Sequence, residues 1–146
     1  MRKLFEVQVN SKSVDAAILI TRVAAAVLML THGIPKLAGL FADGPVQFPG
    51  LFGLSPAASL GLTVFAEVLC SLFILFGLGT RLAVIPLTIT MLVAVLLIHS
   101  ADPFIKKEPA IHFLLLYVIL FFTGSGRYSV DSFIQKKSLA TVYTSR

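Results

Sequence analysis

The chain reads as an all-α integral membrane protein: one domain, residues 1–146, folded as a four-helix bundle with short loops and a cytoplasmic interfacial C-terminal segment. Three observations predict this. Apolar runs occupy about residues 14–37, 56–78, 82–100 and 109–126, and a spanning helix needs about 20 mainly apolar residues. The composition is 57% hydrophobic and 13% charged with mean hydropathy +0.93, whereas soluble domains are about 25% charged. The formal charge of +5 forms no basic face or arm, which argues against nucleic acid as a partner.

The basic residues are distributed by side instead. With the termini and the second connection together, one side holds Arg2, Lys3, Lys12, Arg81, Arg127, Lys136, Lys137 and Arg146. The other holds Lys36, Lys106 and Lys107. Lysine and arginine are retained in the cytoplasm, so both termini are expected inside, where basic charge also favours anionic lipid heads.

The first run follows a polar stretch, Met1 to Asp15, and has no small-residue cleavage site before His32, so it is expected to stay in the mature protein. Arg22, Ala25, Ala26, Met29, Gly33 and Lys36 share one of its sides, and the small residues there predict a packing seam. The next connection mixes Gly44, Pro45, Pro49, Gly50 and Gly53 with Phe41, Phe48 and Phe52. It is expected in the outer headgroup layer, its rings dipping into lipid or capping the bundle.

The second run places Ser59, Thr63, Glu67 and Ser71 at intervals of four, with Cys70 beside them, on a face that cannot look at lipid. GLGTR at Gly77 to Arg81 is a tight turn joining antiparallel neighbours. After the third run, Pro109 suits the first turn of the fourth helix. That helix is the shortest and reaches full length only by running past Thr123 towards Gly126. Val130, Phe133 and Ile134 then recur at helical spacing and predict an interfacial helix.

Arg22 is expected about 12 Å from the inner boundary and Glu67 about 15 Å from the outer one, at 1.5 Å per residue. In a core of about 30 Å those depths predict an ion pair near the midplane. An unpaired charge there costs at least about 2.5 to 3.5 kcal/mol, so each should face the bundle. Such a pair is either a clamp that sets helix register or a substrate or proton site.

His32, His99 and His112 fall at one depth, near the outer boundary. Asp102 follows His99 by three residues and Glu108 precedes His112 by four, which puts a carboxylate on the helical face of each. An imidazole so placed suits proton exchange near neutral pH. Three readings stay open: ordinary interfacial histidines, a quinone head-group site, and a haem or other metal between His32 and His99 or His112. No HxxxH or ExxH spacing supports a metal. The single cysteine, Cys70, excludes an intramolecular disulfide and any CxxC motif.

Arg22, HGIPKL at His32 to Leu37, AEVLCSLFILFGLGTRLA at Ala66 to Ala83, His99, Glu108 and GSGRYSVD at Gly124 to Asp131 together resemble the DoxX family. The resemblance covers the chain from about Arg22 to Ser132. It implies a four-helix bacterial inner-membrane protein, with relatives named as subunits of thiosulfate:quinone oxidoreductase or as membrane partners of redox and detoxification enzymes. By motif position it carries over Arg22, Lys36, Glu67, Arg81, His99 and Glu108, with the turn Gly124, Gly126, Ser129 and Asp131.

The expectation is therefore a membrane subunit of a quinone-linked oxidoreductase system, with no GxGxxG or P-loop of its own to hold a nucleotide. Glu67, Arg22 and His99 are its candidate catalytic residues. His32, Lys36, His112 and Glu108 are candidates for holding a cofactor, which would be a quinone and less readily a haem. The alternatives are a non-catalytic assembly protein and a small transporter. Apolar helix sides imply lipid contact and either partner subunits or a homo-oligomer.

Overall fold

The computed structural model describes residues 10–144, with side-chain surroundings as far as residue 138. Arg2, Lys3 and Arg146, which enter the charge bias, lie outside the described residues. Every regular element described is helical: α1 (Ser11–Leu40), α2 (Pro56–Phe76), α3 (Thr80–Ile98), α4 (Phe104–Thr123) and α5 (Val130–Thr144). The first three are long and apolar enough to cross a membrane. The fourth is 20 residues long and carries Lys106, Lys107 and Glu108 in its first two turns. α1 packs against α2 and α4, and α3 packs against the same two, so these four helices form a ring.

Each boundary has a local cause. Asn10 caps α1 by accepting the Lys12 N–H at 3.0 Å. Ser55 caps α2 by accepting the Ala58 N–H at 3.2 Å, with Pro56 at the first helical position. Gly77 ends α2 in the left-handed region (φ 69°), and the Gly77 and Leu78 N–H groups close the last turn on Ile74 and Phe73 carbonyls. A side chain at Gly77 would overlap the Arg22 guanidinium, so the position needs glycine for space as well as for φ.

α4 corrects the sequence reading at both ends. It starts at Phe104 and stops at Thr123, where Gly124 takes φ 73° and ψ −156°. Its missing length comes from the charged start and not from an extension to Gly126. Lys106 reaches Asp102 at 3.4 Å and Lys107 donates to the Ser100 carbonyl at 2.7 Å, which ties the first two turns to the connection. Pro109 consequently lies inside the helix, beyond its first turn.

The interior is built from small and polar groups. Ala25, Ala26, Ala66, Ala83 and Ala110 let the helices approach, and Met29, Ile74, Leu87, Tyr117 and Leu120 fill what remains. The expected seam on α1 is buried from Arg22 through Gly33. Large apolar side chains such as Ile20, Leu28, Leu62, Leu82, Ile89, Leu96 and Phe122 point outward, as in a protein whose solvent is hydrocarbon.

Candidate functional site

Two of the helices contain a wide, π-helical turn: Phe65–Cys70 within α2 and Ala94–Ile98 at the end of α3. Such turns are found often at functional sites because they aim a side chain off the regular helical stripe. Here Glu67 lies inside the first, and His99 closes the second through its N–H to the Ala94 carbonyl at 2.9 Å.

Glu67 is buried, its side chain 2% exposed, and one oxygen, Oε1, accepts a hydrogen bond from Lys36 Nζ at 2.5 Å. The other oxygen, Oε2, is buried without a partner. Lys36 is about one-third exposed, with 35% of its side chain accessible, so the pair joins the interior to the bundle end. A cavity of about 240 Å³ lies beside it, lined by His32, Lys36, Glu67, Met91, His99 and Phe113 among others. A second cavity of about 200 Å³ shares Lys36, Glu67, Ala94 and His99 and is covered by Phe48, Pro49 and Leu51. The connection after α1 thus caps the bundle here, anchored by the Leu51 N–H on Ser59 Oγ at 3.0 Å.

His99 Nδ1 donates to Asp102 Oδ2 at 2.7 Å, as the spacing predicts. That bond holds the Asp102 carboxyl below the usual carboxylate range, with Lys106 adding to the effect. The His32 ring meets Phe113 edge to face at 5.9 Å, and Phe113 stacks on Tyr117 at 6.0 Å. Among the described residues no group of three or more His, Cys, Asp or Glu is arranged to hold a metal ion. Cys70 is buried as a free thiol.

The predicted ion pair between Arg22 and Glu67 is not formed. Arg22 donates from Nη1 to the Ser125 carbonyl at 2.6 Å and from Nη2 to the Tyr128 carbonyl at 2.7 Å. The cause is helix register. Gly33 of α1 lies against Glu67, whereas Arg22 lies against Gly77, ten residues further along α2 and so about 15 Å away. Closest approach of two backbones occurs where a side chain is missing, and Gly33 sets that level. Lys36, three residues beyond Gly33, then stands beside the carboxylate.

His112 and Glu108 are also displaced from expectation. The buried stripe of α4 is Ala110, Phe113, Tyr117 and Leu120, and His112 sits about 100° round the helix from Phe113. His112 is exposed, neither residue lines the cavities, and among the described residues no bond joins them. Conversely, Lys106 lines the first cavity although its sequence context suggested only a loop charge. Tyr117, with a buried unpartnered hydroxyl, was missed as well; its spacing of four from Phe113 was the available signal.

Arg22 belongs to a clasp at the opposite end. Asp131 accepts the Gly79 N–H at 2.9 and 3.0 Å and the Ser125 hydroxyl at 2.5 Å, and its own N–H donates to the Gly77 carbonyl at 3.1 Å. The turn after α4 is thereby locked to the turn after α2.

Comparison with known proteins agrees with this architecture. The chain is 29% identical over 127 residues to a Bacillus subtilis protein named "Putative oxidoreductase CatD", covering 86% of this chain and 92% of that one. It is 29% identical over 140 residues to an uncharacterized membrane protein of Mycobacterium tuberculosis, covering 85% of each. No solved structure matches it. The sequence model of the DoxX family matches residues 17–100, more than half of the chain and all of the seam, Glu67 and His99, and the protein belongs to the DoxX family.

Proposed function

We propose that this DoxX protein is the quinone-facing membrane subunit of an oxidoreductase system, with its site at Glu67, Lys36 and His99. The observation that carries the reading is Glu67, which lines a cavity and whose Oε2 is a buried carboxylate oxygen with no partner. A buried acceptor of this kind is costly unless something completes it. The cavity, about 240 Å³, is smaller than the roughly 300 Å³ at which ordinary ligand pockets begin, so it suits a single ring.

A quinone, when reduced, takes up protons along with electrons at its two carbonyl oxygens. The residues fit such a head group. Lys36 supplies a cationic donor, Oε2 of Glu67 accepts or returns a proton, and His99, oriented through Nδ1 by Asp102, offers Nε2. His32 and Phe113 provide an aromatic wall. The relative named as an oxidoreductase supports the redox class. The electron donor would bind a separate subunit, and the spread of basic residues supports a bacterial inner membrane with both termini inside.

Extraction and mass spectrometry of lipids from the purified protein test the proposal. Quinone should co-purify with the native chain and fall in Glu67→Gln and His99→Ala variants that remain folded at the temperature of purification. Quinone absent from the native protein, together with unaltered quinone reduction in both variants, would overturn it.

A further inference from the structure

The end of the bundle opposite Glu67 is also hollow. A cavity of about 480 Å³ opens there between the α2–α3 turn, the α4–α5 turn and the start of α5. Two arginines line it. Arg81 lies against Gly124, where a Cβ would stand 3.3 Å from Nε, and its Nη2 donates to the Phe122 carbonyl at 3.1 Å. Arg127 is exposed and, among the described residues, makes no hydrogen bond or ion pair through its side chain.

The acidic group in the lining is already engaged. Asp131 accepts bonds from Gly79 and Ser125 and lies within electrostatic reach of Arg22, so Arg81 and Arg127 keep their charge for something else. Thr80 also lines the cavity, and its Oγ1 is fully buried without a partner. The lining of one cavity thus combines a buried hydroxyl that lacks an acceptor with two guanidinium groups, and the shared requirement is for an oxyanion.

We propose that this cavity binds a phosphate group, held by Arg81 and Arg127 and completed by the Thr80 hydroxyl. Guanidinium forks match phosphate oxygens in a way that lysine does not. The cavity lies where α2 ends and α3 begins, the depth of lipid head groups if those helices cross the bilayer, with Leu82 and Phe122 exposed beside it. An anionic phospholipid therefore brings the phosphate, although a soluble phosphate shares the same chemistry. The site stands apart from Glu67, so its failure says nothing of the quinone reading.

Native mass spectrometry of the full chain in detergent, offered phosphatidylglycerol and phosphatidylcholine in competition, reads the proposal, with inorganic phosphate titrated in a separate arm. Phosphatidylglycerol should be retained preferentially and lose about fivefold in retention for each of Arg81→Gln and Arg127→Gln. Arg127→Gln alone keeps the test open if Arg81→Gln fails to fold, because Arg127 holds no other element. Inorganic phosphate that displaces the lipid with the same arginine dependence would support the site with a soluble ligand. Lipid retention unchanged in both variants, with no arginine-dependent displacement by inorganic phosphate, would overturn it.

Discussion

Gly33 packs directly on Glu67: a Cβ at position 33 would stand 3.0 Å from the Glu67 Cβ and carbonyl carbon and 2.9 Å from Val68 Cγ2. The groups it would meet are backbone and a branched side chain in a packed seam, which cannot swing away. Gly33→Ala should therefore lower stability by about 1–3 kcal/mol through overpacking. Gly61→Ala is the control, since nothing lies within 4 Å of its Cβ and removal of a helical glycine should gain about 0.5–1 kcal/mol. Melting temperatures in detergent distinguish them, and a Gly33→Ala protein as stable as Gly61→Ala would contradict the close crossing.

The Lys36–Glu67 bond predicts strong coupling. Lys36→Met strands a buried carboxylate, a loss of up to about 3–5 kcal/mol that the partial exposure of Lys36 moderates. Glu67→Gln costs less, because the lysine ammonium can turn towards the bundle end. The double variant should recover much of the Lys36→Met loss. A double-mutant cycle of melting temperatures with additive effects would mean that the two groups do not interact.

The α1 seam and the partner of Glu67 are fixed by different physics. The α1 seam depends on local periodicity, so the face from Arg22 to Gly33 was legible without knowing any neighbour. The Arg22–Glu67 pair depended on where each helix meets the membrane, and α1 extends from Ser11 to Leu40, beyond both ends of its apolar run. An error of a few residues in each helix adds up in an antiparallel pair. The carboxylate then meets Lys36, the cation at the seam's other end. The π-helical turns at Glu67 and before His99 leave no mark in hydropathy, because a wider turn does not alter the apolar composition of a run.

The His99–Asp102 contact makes a pH prediction. Asp102 has a lowered folded-state pKa, chiefly from the His99 hydrogen bond, so its contribution is fully present above the unfolded value of about 3.9. It is lost as pH falls through the folded value. The His99 ring resonances should accordingly change with a midpoint below about pH 4, and Asp102→Asn should abolish that step. A ring signal that Asp102→Asn leaves untouched would show that the two side chains are apart in solution.

The Arg22 clasp should govern the α4–α5 turn more than the bundle. Arg22 donates two charge-assisted bonds to carbonyls of that turn, each worth about 1.5–3 kcal/mol, and Asp131 ties the same turn to Gly79. Arg22→Gln cannot span both carbonyls, and Arg22→Lys, with a single ammonium, recovers at most part of the loss. Both changes should speed trypsin cleavage at Arg127 and amide exchange across residues 124–131, with Gln the larger. Asp131→Asn should act in the same direction, since it weakens the acceptor of the Gly79 N–H. Because the turn opens locally while α1, α2 and α3 stay packed, cleavage should rise at temperatures well below the global transition. Cleavage that instead tracks global melting in all three variants would mean that Arg22 secures the bundle as a whole.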